Sequence, residues 1–362
     1  MKTAEFNSRS DAAEKLIALN GWRVEKSKAG GLQDCSLIVA TYMRPVELLE
    51  LMQCLSSISD GPAEVVIVDG APGGLSESSV HNWVCQTPLP FELIYIRGPK
   101  GLTLQRNVGI DISTKPFVFF LDDDSLPLPG YFQEVRRVLS EPAEPRVGAV
   151  GACVMNEINK PLPRRWRLRR ALRLVPRCEP FIYSQAGTSV PTGLLKPFRG
   201  IRDVDFFPGS AFAVRGEIFQ SMRFSEFFAG YSYGEDVEMA LRIRQQWRVV
   251  CCGDARVIHR ASPAGRPPSF EKGQMEVRNR HFIWRRHCPR ASIVNQARFY
   301  IDFLFLFLMD LAWFLARPWK WQHLSHACGL AWGSASCAIR APKWQEPPVA
   351  RRYRLGDSGY AA

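Results

Sequence analysis

The sequence predicts an α/β fold, a mostly parallel mixed sheet flanked by helices, with apolar helices added towards the C-terminal end. Three observations predict it. Short apolar runs alternate with helix-like segments in the order strand, helix, strand, strand, helix, strand between residues 36 and 122. Three of those runs end on a polar side chain, Thr41, Asp69 and Asp122, as strands do where they surface at a shared edge. Hydrophobic residues make up 46% of the 362-residue chain against 23% charged, enough apolar material for a large core.

The elements follow in order. Residues 1–34 are polar and mixed in charge, and are expected to form an extension outside the core, with at most a short helix over Ala12 to Leu19. Ser36 to Thr41 reads as a buried strand, and Pro45 opens the helix after it because its fixed φ suits a first turn. Ala63 to Val68 is a second strand, ending on Asp69 and Gly70. Phe91 to Ile96 is a third, and Gly101 to Ile112 carries a helix. Then Phe117 to Leu121, five apolar residues, run into Asp122, Asp123 and Asp124. Unpaired carboxylates are too costly to bury, so these three acids belong where the strand surfaces. Clustered hard oxygens suit Mg2+ or Mn2+ shared with a phosphate; a solvated acidic turn is the plainer alternative. The whole is a Rossmann-like arrangement with its ligand edge at the strand ends.

The phosphate grip is of an unusual kind. No Gly-x-Gly-x-x-Gly and no Lys-bearing glycine loop follows the first strand, so glycine amides are not the expected cradle. A diphosphate here needs a metal and a guanidinium, and Arg106, beside Asn107, is the candidate. The formal net charge of +12 points to an anionic partner. Ten cysteines without a Cys-x-x-Cys pair fit a reduced, cytosolic setting, and the first residues hold no apolar signal-peptide run.

Later segments add chemistry. Arg164 to Arg173 interleaves arginine with Trp166, Leu168 and Leu172, a pattern for anionic lipid or a phosphorylated acceptor, or else a solvated basic helix. No nucleic-acid recognition module accompanies it, so nucleic acid is not an expected partner. Asp205 to Arg215 reads as a loop entering a strand. Gly234, Glu235 and Asp236 open an amphipathic helix whose N-terminal dipole favours the two acids, with Glu238 and Arg242 expected as an exposed i,i+4 pair. Val249 to Cys252 and Ala255 to His259 read as two strands, Ser262 to Pro268 as a mobile loop, and Arg278 to His287 as a basic helix.

Taken together, the strand ending at Thr41, Val68-Asp69-Gly70, Gly101-x-x-x-x-Arg106-Asn107 and Asp122-Asp123-Asp124 resemble family 2 glycosyltransferases, inverting enzymes of the glycosyltransferase A fold. The resemblance covers roughly residues 35–290. It implies that Asp69 meets the base of a nucleotide donor, that Asp123 faces its ribose and that Asp124 holds a Mn2+ or Mg2+ ion on the diphosphate. Thr41, Arg44, Arg106 and Asp122 complete the implied donor side. It further implies Asp236 as the base that takes the acceptor proton, with Glu235 as the alternative, and His259 as a second metal ligand. The family's Asp-Asp-Gly-Ser is here Asp69-Gly70-Ala71-Pro72, which leaves the nucleotide open. Its Gln-x-x-Arg-Trp element is missing, so a single transfer is expected rather than polymer synthesis.

Beyond residue 290 the chain turns apolar. Tyr300 to Ala316 is interrupted by Asp302 and Asp310, which suits an interfacial helix better than a span, with Arg317, Trp319, Lys320 and Trp321 as headgroup anchors; packing on the catalytic domain is the alternative. The expected organisation is an extension over 1–34, a catalytic domain over 35–290, apolar helices over 291–341 and a flexible tail over 342–362. The expected function is metal-dependent inverting transfer of one sugar to a hydroxyl of a lipid-linked or cell-envelope glycan, at the inner face of the cell membrane. A nucleotidyltransferase and a non-catalytic membrane-bound scaffold are the alternatives.

Overall fold

The computed structural model describes residues 2–28, 30–175, 179–190, 192–228, 230–263 and 266–339; the expected tail over 342–362 lies outside the described residues. Helix α1 (Lys2–Asn20) leads into β1 (Gly21–Val24), and β2 (Leu32–Thr41) is followed by α2 (Pro45–Ser57) and β3 (Pro62–Asp69). Next come α3 (Leu75–Val84), β4 (Glu92–Arg97), α4 (Leu102–Ile112), β5 (Phe117–Asp122) and β6 (Ser125–Pro127). Then follow α5 (Tyr131–Ser140), β7 (Val147–Val154), α6 (Arg164–Ala171), β8 (Ile201–Asp203) and β9 (Ala211–Arg215). Helix α7 (Glu235–Ile243), β10 (Arg248–His259), α8 (Ser269–His287), α9 (Ile293–Ala316) and α10 (Trp321–Ile339) complete the chain.

One ten-stranded sheet runs in the order β1-β4-β3-β2-β5-β9-β7-β10-β6, with β8 also paired to β10. Strands β4, β3, β2 and β5 are parallel; β9 enters antiparallel to both β5 and β7. Alternate residues of each strand feed opposite cores. Ile38, Val66 and Val68 join Val108 and Ile110 of α4 and Met239 and Ile243 of α7 on one face. Leu37, Val39, Val65 and Ile67 join Leu48, Leu51 and Leu55 of α2 and Val135 and Val138 of α5 on the other. Burial on both faces explains why the strands read as continuous apolar runs.

Three elements differ from expectation. Residues 2–24 are not an extension outside the core: β1 pairs antiparallel with β4, and Ile17 of α1 is buried. The stretch is polar because an edge strand and its covering helix bury only one face each. The two strands expected at 249–252 and 255–259 are one, β10, irregular in its pairing with β7 between Cys251 and Arg256. Glu238 is fully buried rather than exposed, ion-paired to Arg242 at 2.8 Å and to Arg286 at 3.4 Å. Helix α8 lies over that end of α7, which the local sequence does not reveal.

Candidate active site

The carboxyl ends of β2 and β5 open into a cleft of about 1220 Å³. It runs from Thr41, Arg44 and Asp122 to Asp124, past Glu235 and Asp236, to Trp166, Tyr183 and Arg280. Strand pairing sets up the first half. Ala40 pairs with Asp122 and Thr41 with Asp69, while Ser125, straight after the acids, pairs with His259. The backbone of Asp124 accepts from the Arg260 amide at 2.9 Å, which ties the end of β10 to the acid turn.

Oxygens of Asp122 and Asp124 and a ring nitrogen of His259 lie within 4.8 Å of one another. Nε2 of His259 is 3.2 Å from Asp124 Oδ1, yet that buried oxygen accepts no well-aligned hydrogen bond among the described residues. A carboxylate oxygen and an imidazole nitrogen that face each other without a proper hydrogen bond are what a cation site requires, and two carboxylates with an imidazole suit Mn2+ or Mg2+. The other ring nitrogen, Nδ1, sits 2.7 Å from Glu157 Oε1. That arrangement lets Nδ1–H donate to the carboxylate and leaves Nε2 to ligate. Burial pushes the His259 pKa down, but the carboxylates of Asp124 and Glu157 beside its ring outweigh this and raise it to about 10. Burial pushes Asp124 up, and the His259 contact outweighs it, so Asp124 titrates below its ordinary range. A cation bound here would therefore displace a proton.

Asp123 takes a different place. Its Oδ2 accepts from Thr41 Oγ1 at 2.8 Å and its Oδ1 from Arg44 Nη1 at 2.9 Å. Burial raises it to about 7, against the pull of Arg44. Arg44 also reaches the Ser262 carbonyl at 3.3 Å, and the Ser262 amide donates to Asp124 Oδ2 at 2.8 Å. The start of the expected loop over 262–268 is thus fastened to the acids.

Two expected donor contacts are otherwise engaged. Asp69 is 1% exposed; Tyr95 donates to one oxygen at 2.7 Å and the Ala71 amide to the other at 2.9 Å, and the residue does not line the cleft. Arg106 lines the cleft but is buried against acids: Nη1 donates to Glu235 at 3.0 Å, and Nη2 to Asp122 at 3.1 Å and to the Gly209 carbonyl at 2.7 Å. Its guanidinium is also 5.3 and 5.5 Å from the rings of Phe212 and Phe224. A charge inside a phenylalanine cluster must be paired, and the acids at the sheet edge provide the pairing.

The second half is built on α7. Gly234 caps that helix at φ 87°, a conformation costly for other residues, so the chain turns sharply and presents Glu235 and Asp236 on the first turn. Glu235 is buried under Arg106, whereas Asp236 is half-buried and lines the cleft. A Cβ at Gly209 would fall 2.9 Å from Asp236 Oδ2, so glycine there leaves room for the carboxylate. Burial, then the neighbouring Asp236 charge, raises Glu235 to about 8; burial likewise raises Asp236. Tyr231 and Tyr233 flank this turn in the cleft, on either side of Ser232 at φ 57°.

Of the ten residues that sequence reading singled out, the fold gathers Thr41, Arg44, Arg106, Asp122, Asp123, Asp124, Glu235, Asp236 and His259 around one cleft and leaves only Asp69 off it. Sequence reading missed Glu157, 102 residues from the His259 it orients, and Gln105, whose Nε2 donates to the Thr41 and Val68 carbonyls at 2.7 and 2.8 Å. A lone glutamate in a polar turn carries no signal by itself. Gln105 stands between Gly101 and Arg106, and its buried helix face was the available clue.

A family model described as glycosyl transferase family 2 matches residues 36–207. Over this span the chain is similar to family 2 glycosyltransferases. The matched span holds Thr41, Asp122 to Asp124 and Glu157 but ends before Asp236 and His259, which geometry alone brings in. An uncharacterised glycosyltransferase of Bacillus subtilis (strain 168) is 28% identical over 102 residues, 28% of this chain and 37% of that protein. One from Haemophilus influenzae is 30% identical over 108 residues, 29% of this chain and 34% of that protein. The aligned part thus spans about a third of each relative's length. A mannosyltransferase from Pyrobaculum calidifontis solved in complex with GDP-Man and Mn2+ superposes with TM-score 0.49 at 17% identity, covering 92% of this chain and 96% of that one.

Proposed function

We propose that this chain is a metal-dependent inverting glycosyltransferase that moves one sugar from a nucleotide-diphosphate sugar to an acceptor hydroxyl. The observation that carries it is Arg106, one buried guanidinium that bonds Asp122 of the cation set and Glu235 beside Asp236. Candidate leaving-group site and candidate base are thereby held one side chain apart.

Asp122, Asp124 and His259 would hold a Mn2+ or Mg2+ ion, which would supply neutralisation of the departing diphosphate. Asp123 fixes the donor end of the cleft through Thr41 and Arg44. Asp236 accepts the acceptor proton at a carboxylate oxygen, and its raised pKa makes it a stronger base than an exposed aspartate. Glu235, tied to Arg106, keeps the turn in place instead of meeting substrate. With Asp69 occupied by Tyr95 and the Ala71 amide, the nucleotide base is read by other groups, such as Tyr42 and Lys100 at the cleft rim. The acceptor is a lipid-linked or cell-envelope glycan at the inner face of the membrane. Supporting this, the far end of the cleft is lined by Trp166, Arg165, Arg169 and Arg280 beside the apolar C-terminal helices.

Replacing the base separates binding from chemistry. Asp236→Asn is expected to bind nucleotide sugar within about twofold of the parent while transfer falls at least about a hundredfold. Isothermal titration beside a product assay checks both, and normal turnover by Asp236→Asn removes it as the base.

A further inference from the structure

Helix α9 has two faces of opposite character. Phe299, Asp302, Phe303 and Leu306 are buried. Ile293, Tyr300, Ile301, Leu304, Leu308 and Leu315 are 49–84% exposed. At 100° per residue these six fall in a single stripe about 100° wide, the breadth of an apolar face that needs a partner.

By length and hydropathy α9 is long enough to cross a bilayer. Its acids decide how it sits. Asp302 accepts from Arg169 through Nε and Nη2, both at 2.6 Å, and from Arg280 Nη2 at 2.8 Å. Asp310 meets His326 Nδ1 at 2.7 Å and His323 Nδ1 at 3.4 Å. These pairs clasp α9 along its length to α6, α8 and α10. A crossing helix would have to break the clasps and carry both aspartates into hydrocarbon without partners.

Charge selects the occupant. Between residues 288 and 339 the only acids are Asp302 and Asp310, both turned away from the stripe. Arg285 and Arg290 are exposed near one end of α9, and Arg317 and Lys320 just past the other. Trp319 and Trp321, 73% and 67% exposed, stand beside the second pair. An acid-free apolar stripe bracketed by cations and tryptophans fits an anionic lipid surface, where tryptophan settles at the headgroups and cations find phosphate.

We propose that α9 lies flat on an anionic bilayer without crossing it, its apolar stripe among the acyl chains. Arg169 and Arg280 line the cleft as well as holding Asp302, so the far end of the cleft stands about one helix diameter, ~10 Å, from the lipid. This orientation deepens the transferase reading and rests on it only in calling that end the acceptor side.

The test is sedimentation of the full chain, without nucleotide sugar, with phosphatidylcholine vesicles that contain or lack phosphatidylglycerol. Binding is expected to the anionic vesicles, to weaken with salt, and to be released by alkaline carbonate. The double variant Leu304→Glu/Leu308→Glu, on exposed positions, should melt like the parent and lose roughly tenfold or more of the binding. Three results overturn the proposal: no binding to anionic vesicles; retention through carbonate, which indicates a span; or a lipid-free dimer that the double variant dissociates, which gives the stripe to a second copy. Because binding is read without donor, failure here leaves the transferase reading intact, and loss of donor binding leaves this one intact.

Discussion

Asp236 and Glu235 are neighbours with separate duties. As the proposed base, Asp236 must be deprotonated, so activity should appear as pH rises through its pKa, which burial has lifted. The acid limb of kcat/KM should therefore lie above the ordinary aspartate range. Glu235, raised to about 8 in part by the Asp236 charge, still holds its proton where Asp236 titrates, so Glu235→Gln should leave that limb in place, and a limb that moves contradicts this order of ionisation. Glu157 acts through His259. Glu157→Gln keeps the shape but weakens the partner of Nδ1, and Mn2+ affinity should fall about 10- to 100-fold with the melting temperature little changed. Equal affinity in parent and variant, read by calorimetry with Mn2+ alone, would show that Glu157 does not orient the ligand. Both carboxylates flank the site, but only the one adjoining a helix start was legible from sequence.

At the scale of elements, α7 carries the base and its far side carries its anchor. Glu238 is buried among Arg242, Arg286 and His287, joining α7 to α8. Glu238→Ala removes the buried acid that these three groups share and should cost about 3–5 kcal/mol, seen as a lower denaturation midpoint. A change below about 1 kcal/mol would mean the pair is as weak as a surface one. Sequence periodicity located α7, α4 and the parallel strands β2, β3, β4 and β5 because each buries a regular face. It placed Glu238 and Arg242 on the outside because an i,i+4 pair looks the same whether water or another helix covers it. It also left β1 unseen: four residues of an edge strand, Gly21 to Val24, are too few to show alternation.

At the scale of the molecule, the sheet edge gathers acids from β5, a histidine from β10 and a carboxylate from α7, and Arg106 ties them together. The strand-end acids were readable because a charge following a buried run has only one place to go. The roles of Arg106 and Asp69 were not readable, since each depends on partners, Glu235 and Tyr95, that only the folded chain brings within reach. The central claim is that this edge binds a nucleotide-diphosphate sugar through a divalent cation. The measurement that tests it most directly is a thermal-shift panel of UDP-, GDP- and dTDP-sugars with and without Mn2+, run on the parent and on Asp124→Ala. Ligands that bind the native state raise its melting temperature by mass action. The account predicts a rise with one nucleotide that needs Mn2+ and is lost in Asp124→Ala. No rise with any of them in folded parent protein, or one indifferent to both Mn2+ and Asp124, would contradict it.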